Sequence, residues 1–79
     1  MDAKTIIDRV AALQREGKKT LCPRCGRDTM SEKPTRNALS RYARVYICDD
    51  CGTDEALRDL YGEVLPLPMW EAVKKAVEP

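Results

Sequence analysis

The chain has no histidine, no phenylalanine, a single tryptophan and no long apolar run. The missing histidine removes the commonest ligand of a catalytic zinc centre, which needs an open coordination position and a nearby base. The missing phenylalanine leaves a 79-residue chain of 43% hydrophobic content with little to build a core from. No stretch approaches the roughly 20 apolar residues that span a bilayer. The opening residues, Met1 to Asp8, form no apolar signal segment. A cytoplasmic protein with reduced thiols and no membrane contact is therefore expected. No glycine-rich phosphate loop and no serine-nucleophile motif occurs, so no enzyme is expected. Fourteen basic and thirteen acidic residues leave a net charge of +1, without the basic excess of a dedicated nucleic-acid binder.

What the chain does have is four cysteines in two matching blocks. Cys22-Pro23-Arg24-Cys25-Gly26 and Cys48-Asp49-Asp50-Cys51-Gly52 are separated by 22 residues. A two-residue gap lets both sulfurs of a block reach one metal through a tight turn, and two such blocks complete a tetrahedral set. Cys22, Cys25, Cys48 and Cys51 are thus expected to hold one structural Zn2+ ion. The glycine after each second cysteine suits a turn whose next residue takes positive φ. Disulfides would need an oxidising compartment, and a thioredoxin-like site would leave one of the two pairs without a purpose. Arg24 and Arg27 stand near the thiolates and can offset their charge, although solvated surface positions are the plainer expectation for both.

One domain, residues 1–79, is expected in three stretches. In residues 1–20, Ala3, Ile6, Ile7, Val10 and Leu13 recur at helical spacing, with Asp2 as N-cap and Gly17 as the stop. In residues 21–52, which hold both cysteine blocks, Arg41 to Cys48 is the best strand. Its alternation turns Ala43, Val45 and Ile47 one way and Tyr42, Arg44, Tyr46 and Cys48 the other. Asp28 to Glu32 is the expected antiparallel partner, with Pro34 limiting the pairing and Ser31 to Asn37 looping out. In residues 53–79, Thr53 is the expected cap of a helix running through Leu57 and Leu60 to Gly62. The Leu65-Pro66-Leu67-Pro68 connector then precedes a last helix with Met69, Trp70, Val73, Ala76 and Val77 on its apolar side and a Glu71 to Lys75 pair outside.

Asn37-Ala38-Leu39-Ser40-Arg41 and the run from Val45 to Leu57, together with the stretch from Leu65 to Trp70, resemble a group of small zinc-ribbon proteins from Gram-positive bacteria and their phages. The resemblance spans about residues 21 to 71. It implies an α+β fold, a zinc ribbon with a short antiparallel sheet between flanking helices, and a bacterial or phage cytoplasm. It implies no activity.

Binding is the function class that remains. Residues 1–20 and 21–52 each carry an excess of two positive charges, whereas residues 53–79 carry an excess of three negative ones. Contact with protein is the first expectation, through Met69 and Trp70 as anchors or through a homodimer, although both side chains can instead pack inward. Contact with nucleic acid through Lys33, Arg36, Arg41, Tyr42 and Arg44 is the alternative. A third reading is an inhibitor of a host machine such as a nuclease or polymerase, in which Asp54, Glu55, Asp59 and Glu63 mimic nucleic-acid charge.

Overall fold

A computed structural model of the chain describes residues 2–33 and 36–77, the last without its side chain. Asp2 caps the first helix, α1 (Ala3–Arg15), by accepting the Thr5 N–H at 2.8 Å. Gly17 ends it at φ 79°, where the Lys18 N–H returns to the Leu13 carbonyl at 3.1 Å. That closure satisfies carbonyls the helix would otherwise leave unpaired. The buried face of α1 carries Ile6, Ile7, Ala11 and Gln14. Leu13, expected inside, is 40% exposed, because the face is centred one position round the helix from the expected stripe.

The sheet is smaller than expected, and its partner strand differs. β1 (Ala38–Leu39) pairs antiparallel with β2 (Tyr46–Ile47), Ala38 opposite Ile47 and Leu39 opposite Tyr46. Residues 28–32, the expected partner, form no strand, and Pro34 lies outside the described residues. Residues 41–45 are a bent connection and not part of a strand. The Ser40 N–H donates to the Val45 carbonyl at 3.0 Å and the Arg41 N–H to the Glu55 carboxylate at 2.9 Å, which ties both ends of the connection locally. The burial of Val45 and Ile47 agrees with the expected alternation.

α2 (Asp49–Tyr61) begins five residues earlier than the Thr53 cap implied, with Cys48 as its N-cap. Asp49 and Asp50 sit in its first turn, where negative charge favours the positive end of the helix. The helix ends at Gly62 in the left-handed conformation, as expected. A single 3-10 turn (Leu67–Met69) then leads into α3 (Glu71–Val77). On α3, Glu71 pairs with Lys74 at 3.2 Å and not with Lys75.

α1 packs against α3 and the 3-10 turn, while α2 packs against β1. One apolar cluster joins these two halves: Ile6, Ile7, Met30, Val45, Ile47, Trp70 and Val73, together with three cysteines. Trp70 is fully buried at its centre and donates its indole N–H to the Leu65 carbonyl at 3.2 Å. The architecture is a small α+β fold in which the cysteine blocks join the two helical halves.

Candidate metal centre

The first cysteine block is a tight turn. The Gly26 N–H donates to the Cys22 carbonyl at 2.7 Å and the Cys22 N–H to the Arg27 carbonyl at 3.0 Å. Gly26 has the expected positive φ, 76°. A Cβ there would also stand 2.9 Å from Glu71 Cβ, since the start of α3 lies directly on the turn. Two α3 amides seal the contact, with the Glu71 N–H donating to the Arg24 carbonyl at 3.2 Å and the Ala72 N–H to the Pro23 carbonyl at 3.0 Å.

The second block is built differently. Cys48 is the N-cap of α2 and Cys51 lies in its first turn, so Gly52 is helical and has no positive φ. The expected symmetry of two glycine-ended turns therefore holds for Gly26 only. Gly52 is needed for space, because a Cβ there would lie 2.6 Å from Ala38 Cβ on β1.

These two supports bring all four sulfurs within 4.8 Å of one another. Cys22 Sγ is 3.7 Å from Cys51 Sγ, and Cys25 Sγ is 3.8 Å from Cys48 Sγ. A tetrahedron with metal–sulfur bonds of about 2.3 Å has edges of about 3.8 Å. The sulfurs are too far apart for disulfide bonds, and all four thiols are free. The arrangement is that of a four-cysteine metal site whose donors are already at ligand spacing. Cys22, Cys48 and Cys51 are buried, while Cys25 is half-buried.

The thiols differ electrostatically. Burial pushes the Cys22 thiol up, against the pull of the Cys48 and other backbone amides, and the Cys48 N–H reaches Cys22 Sγ at 3.4 Å. Burial also pushes Cys51 up, with Arg24 acting in the other direction. At Cys25 burial is outweighed by the backbone and side chain of Arg27, which bring the thiol down to about 6. Of these three, Cys25 is the most readily ionised, and a metal bound at Cys22 and Cys51 would release protons.

Arg24 is the main departure from expectation around the site. It is buried, not a solvated surface residue. One guanidinium nitrogen donates to Asp54 Oδ2 at 2.6 Å, while Nε lies 3.7 Å from Glu55 Oε2 and lacks a hydrogen-bond partner. Arg58 Nε donates to the same Asp54 oxygen at 2.8 Å. Glu55 is 2% exposed and accepts from Ser40 Oγ at 2.8 Å and from the Arg41 N–H at 2.9 Å. Arg24 thus fastens the first cysteine turn to α2, and Glu55 fastens α2 to the β1–β2 connection. Glu55 becomes legible only with the earlier start of α2, which puts it four residues after Cys51 on the same helix face.

The other candidate residues are not gathered into a second site. Arg41 and Tyr42 both turn to Asp59, at 3.1 and 3.2 Å, while Lys33, Arg36 and Arg44 are exposed. Of the four acids expected to mimic nucleic acid, Asp54, Glu55 and Asp59 are engaged with arginines of the chain itself. Met69 is half-exposed, but Trp70 belongs to the core and offers no contact surface. No helix among the described residues is long and apolar enough to cross a membrane. Comparison with protein-family models, with curated proteins and with solved structures finds no match for this chain.

Proposed function

We propose that Cys22, Cys25, Cys48 and Cys51 hold one structural Zn2+ ion, and that the metal-stapled unit is a non-catalytic module that contacts protein in a reducing cytoplasm. The observation that carries the metal assignment is the pair of sulfur separations, 3.7 and 3.8 Å, which match the edges of a tetrahedral zinc–thiolate centre. Four thiolates fill such a shell and leave no position for substrate or water. Zinc suits four thiolates better than the hard cations, which prefer oxygen.

The contact surface is read from apolar exposure. Leu39, Leu57, Leu60, Tyr61 and Val64 are each more than half exposed, and three of them share α2. Leu57, Leu60 and Tyr61 fall on one side of α2 by helical phase, and a contiguous exposed apolar patch of this kind is the signature of an interaction surface. Of the candidate cations, by contrast, Arg41 is paired to Asp59, as is the Tyr42 hydroxyl, which favours protein over nucleic acid.

Native mass spectrometry of reduced protein, purified without added metal, tests the metal assignment: one zinc per chain is expected, lost when Cys22 and Cys51 are both changed to serine. A folded, metal-free chain would refute it. Retention of nucleic acid at low salt by the zinc-loaded chain, unaffected by substitutions on α2, would refute the choice of protein.

A further inference from the structure

We infer that the exposed face of α2 is a self-complementary surface on which a second copy of this chain docks antiparallel. This rests on the reading of the protein as a protein-contacting module and names its partner. The helix carries a protrusion and a matching recess. Leu60 and Tyr61 project at its C-terminal end, 80% and 78% exposed. About two turns earlier, an open groove of about 490 Å³ lies between α2 and β1, lined by Leu39, Gly52, Thr53 and Ala56 with the charged Arg41 and Asp49 at its rim. The close approach of Gly52 to Ala38 keeps its floor shallow and free of bulk.

A two-fold axis passing Leu57 at right angles to the helix relates the two features, because it places Tyr61 level with Thr53 of the second copy and sets Leu57 against itself. By helical phase Leu60 lies on the border of α2 nearer β1, the same border as the groove. In an antiparallel pair like borders meet, so Leu60 of each copy enters the groove of the other. On the opposite border Asp54 and Arg58 carry opposite signs one turn apart. Within the chain these two already pair at 2.8 Å, and reversal of direction sets the pair of one copy head to tail beside that of the other, with both side chains partly open to solvent. The surface is therefore isologous in shape and in charge.

The area is sufficient. Leu39, Leu57, Leu60, Tyr61 and Val64 of both copies together offer at most about 1,200 Å² when fully covered, the lower end of specific interfaces. A weak, concentration-dependent dimer is expected from a contact of this size.

Sedimentation of the zinc-loaded full chain from about 1 µM to about 1 mM tests this, with metal content measured on the same samples. Leu60→Asp and Thr53→Trp, both at exposed positions, remove the protrusion and block the groove respectively. Each is expected to weaken the dimer about 100-fold. Mixing the two variants is expected to restore association in part, since the mixed pair keeps one intact Leu60 and one open groove facing each other. A folded, metal-loaded wild-type chain that stays monomeric throughout would overturn the dimer while leaving the metal assignment intact. So would a dimer unaffected by either substitution, or a mixture no more associated than its components. Loss of metal from wild-type protein would instead indict the zinc reading.

Discussion

Gln14 of α1 grips the backbone of Tyr46 in β2 with both atoms of its amide. The Tyr46 N–H donates to Gln14 Oε1 at 2.8 Å, and Gln14 Nε2 donates to the Tyr46 carbonyl at 2.9 Å. A two-strand sheet leaves the outer edge of each strand unpaired, and here a side chain takes the place of a third strand. Gln14 is 5% exposed, so water cannot readily substitute for it.

Gln14→Ala is expected to cost about 2 kcal/mol, because it leaves a half-buried amide and carbonyl of β2 without partners. Gln14→Glu should fare little better, since a carboxylate has no N–H for the Tyr46 carbonyl. Urea unfolding followed by circular dichroism measures both. A loss below about 0.5 kcal/mol for the alanine variant would mean the grip contributes little.

Metal removal should unfold the centre of the molecule. Structural zinc supplies on the order of 10 kcal/mol of apparent binding free energy, as much as the whole stability of an ordinary domain. The four sulfurs join the first cysteine turn, which supports α3, to α2 and β2, so their release uncouples both halves. Trp70 reports the event directly: its emission is expected to shift to the red on treatment with a strong chelator and to return with zinc. Unchanged emission and far-ultraviolet dichroism after verified metal loss would contradict this.

Gly52→Ala provides a test of sign. In a solvent-exposed helix this change stabilises by about 1 kcal/mol. Here the new Cβ would meet Ala38 Cβ at 2.6 Å, a separation that forces α2 and β1 apart. Destabilisation of about 1–3 kcal/mol is expected from overpacking. Ala38→Gly in the same chain should recover much of it, which a double-mutant cycle by thermal or chemical unfolding would register. Additive effects would show that the approach of Gly52 to Ala38 is not the cause.

Asp54 should contribute stability that does not vary from pH 8 to about pH 5. The hydrogen bond from Arg24 holds its carboxyl below the ordinary aspartate value, opposed by burial and aided by Arg58. A group depressed in this way stabilises fully above its unfolded value, about 3.9, and loses its contribution only as pH falls through the lower folded value. Asp54 is 44% exposed, so solvent screening reduces the effect of Asp54→Asn to about 1 kcal/mol. Stability differences between wild type and variant, measured by urea unfolding at several pH values, should be level over that range. A gap that closes between pH 8 and pH 5 would show that Arg24 does not control the Asp54 carboxyl.

Local chemistry in the chain already pointed to the four cysteines that cluster, the extent of α1 and the C-terminal ends of both long helices. Cysteine spacing, the Asp2 cap, and glycines at positions 17 and 62 act over a few residues, and few competing conformations satisfy them. The same kind of signal misled at Thr53, a good cap that lies inside α2 because Cys48, tied to the sulfur cluster, starts the helix earlier. Which segment pairs with β2, why Gly52 must be small, and the burial of Gln14, Arg24, Glu55 and Trp70 emerged only from three-dimensional packing. Each of those outcomes joins residues far apart in the chain: Gln14 meets Tyr46, Arg24 meets Asp54, Ala38 meets Gly52. Local patterning carries no record of such meetings. A polar side chain can be buried only where a distant partner satisfies it, and that partner is present only once the fold has closed.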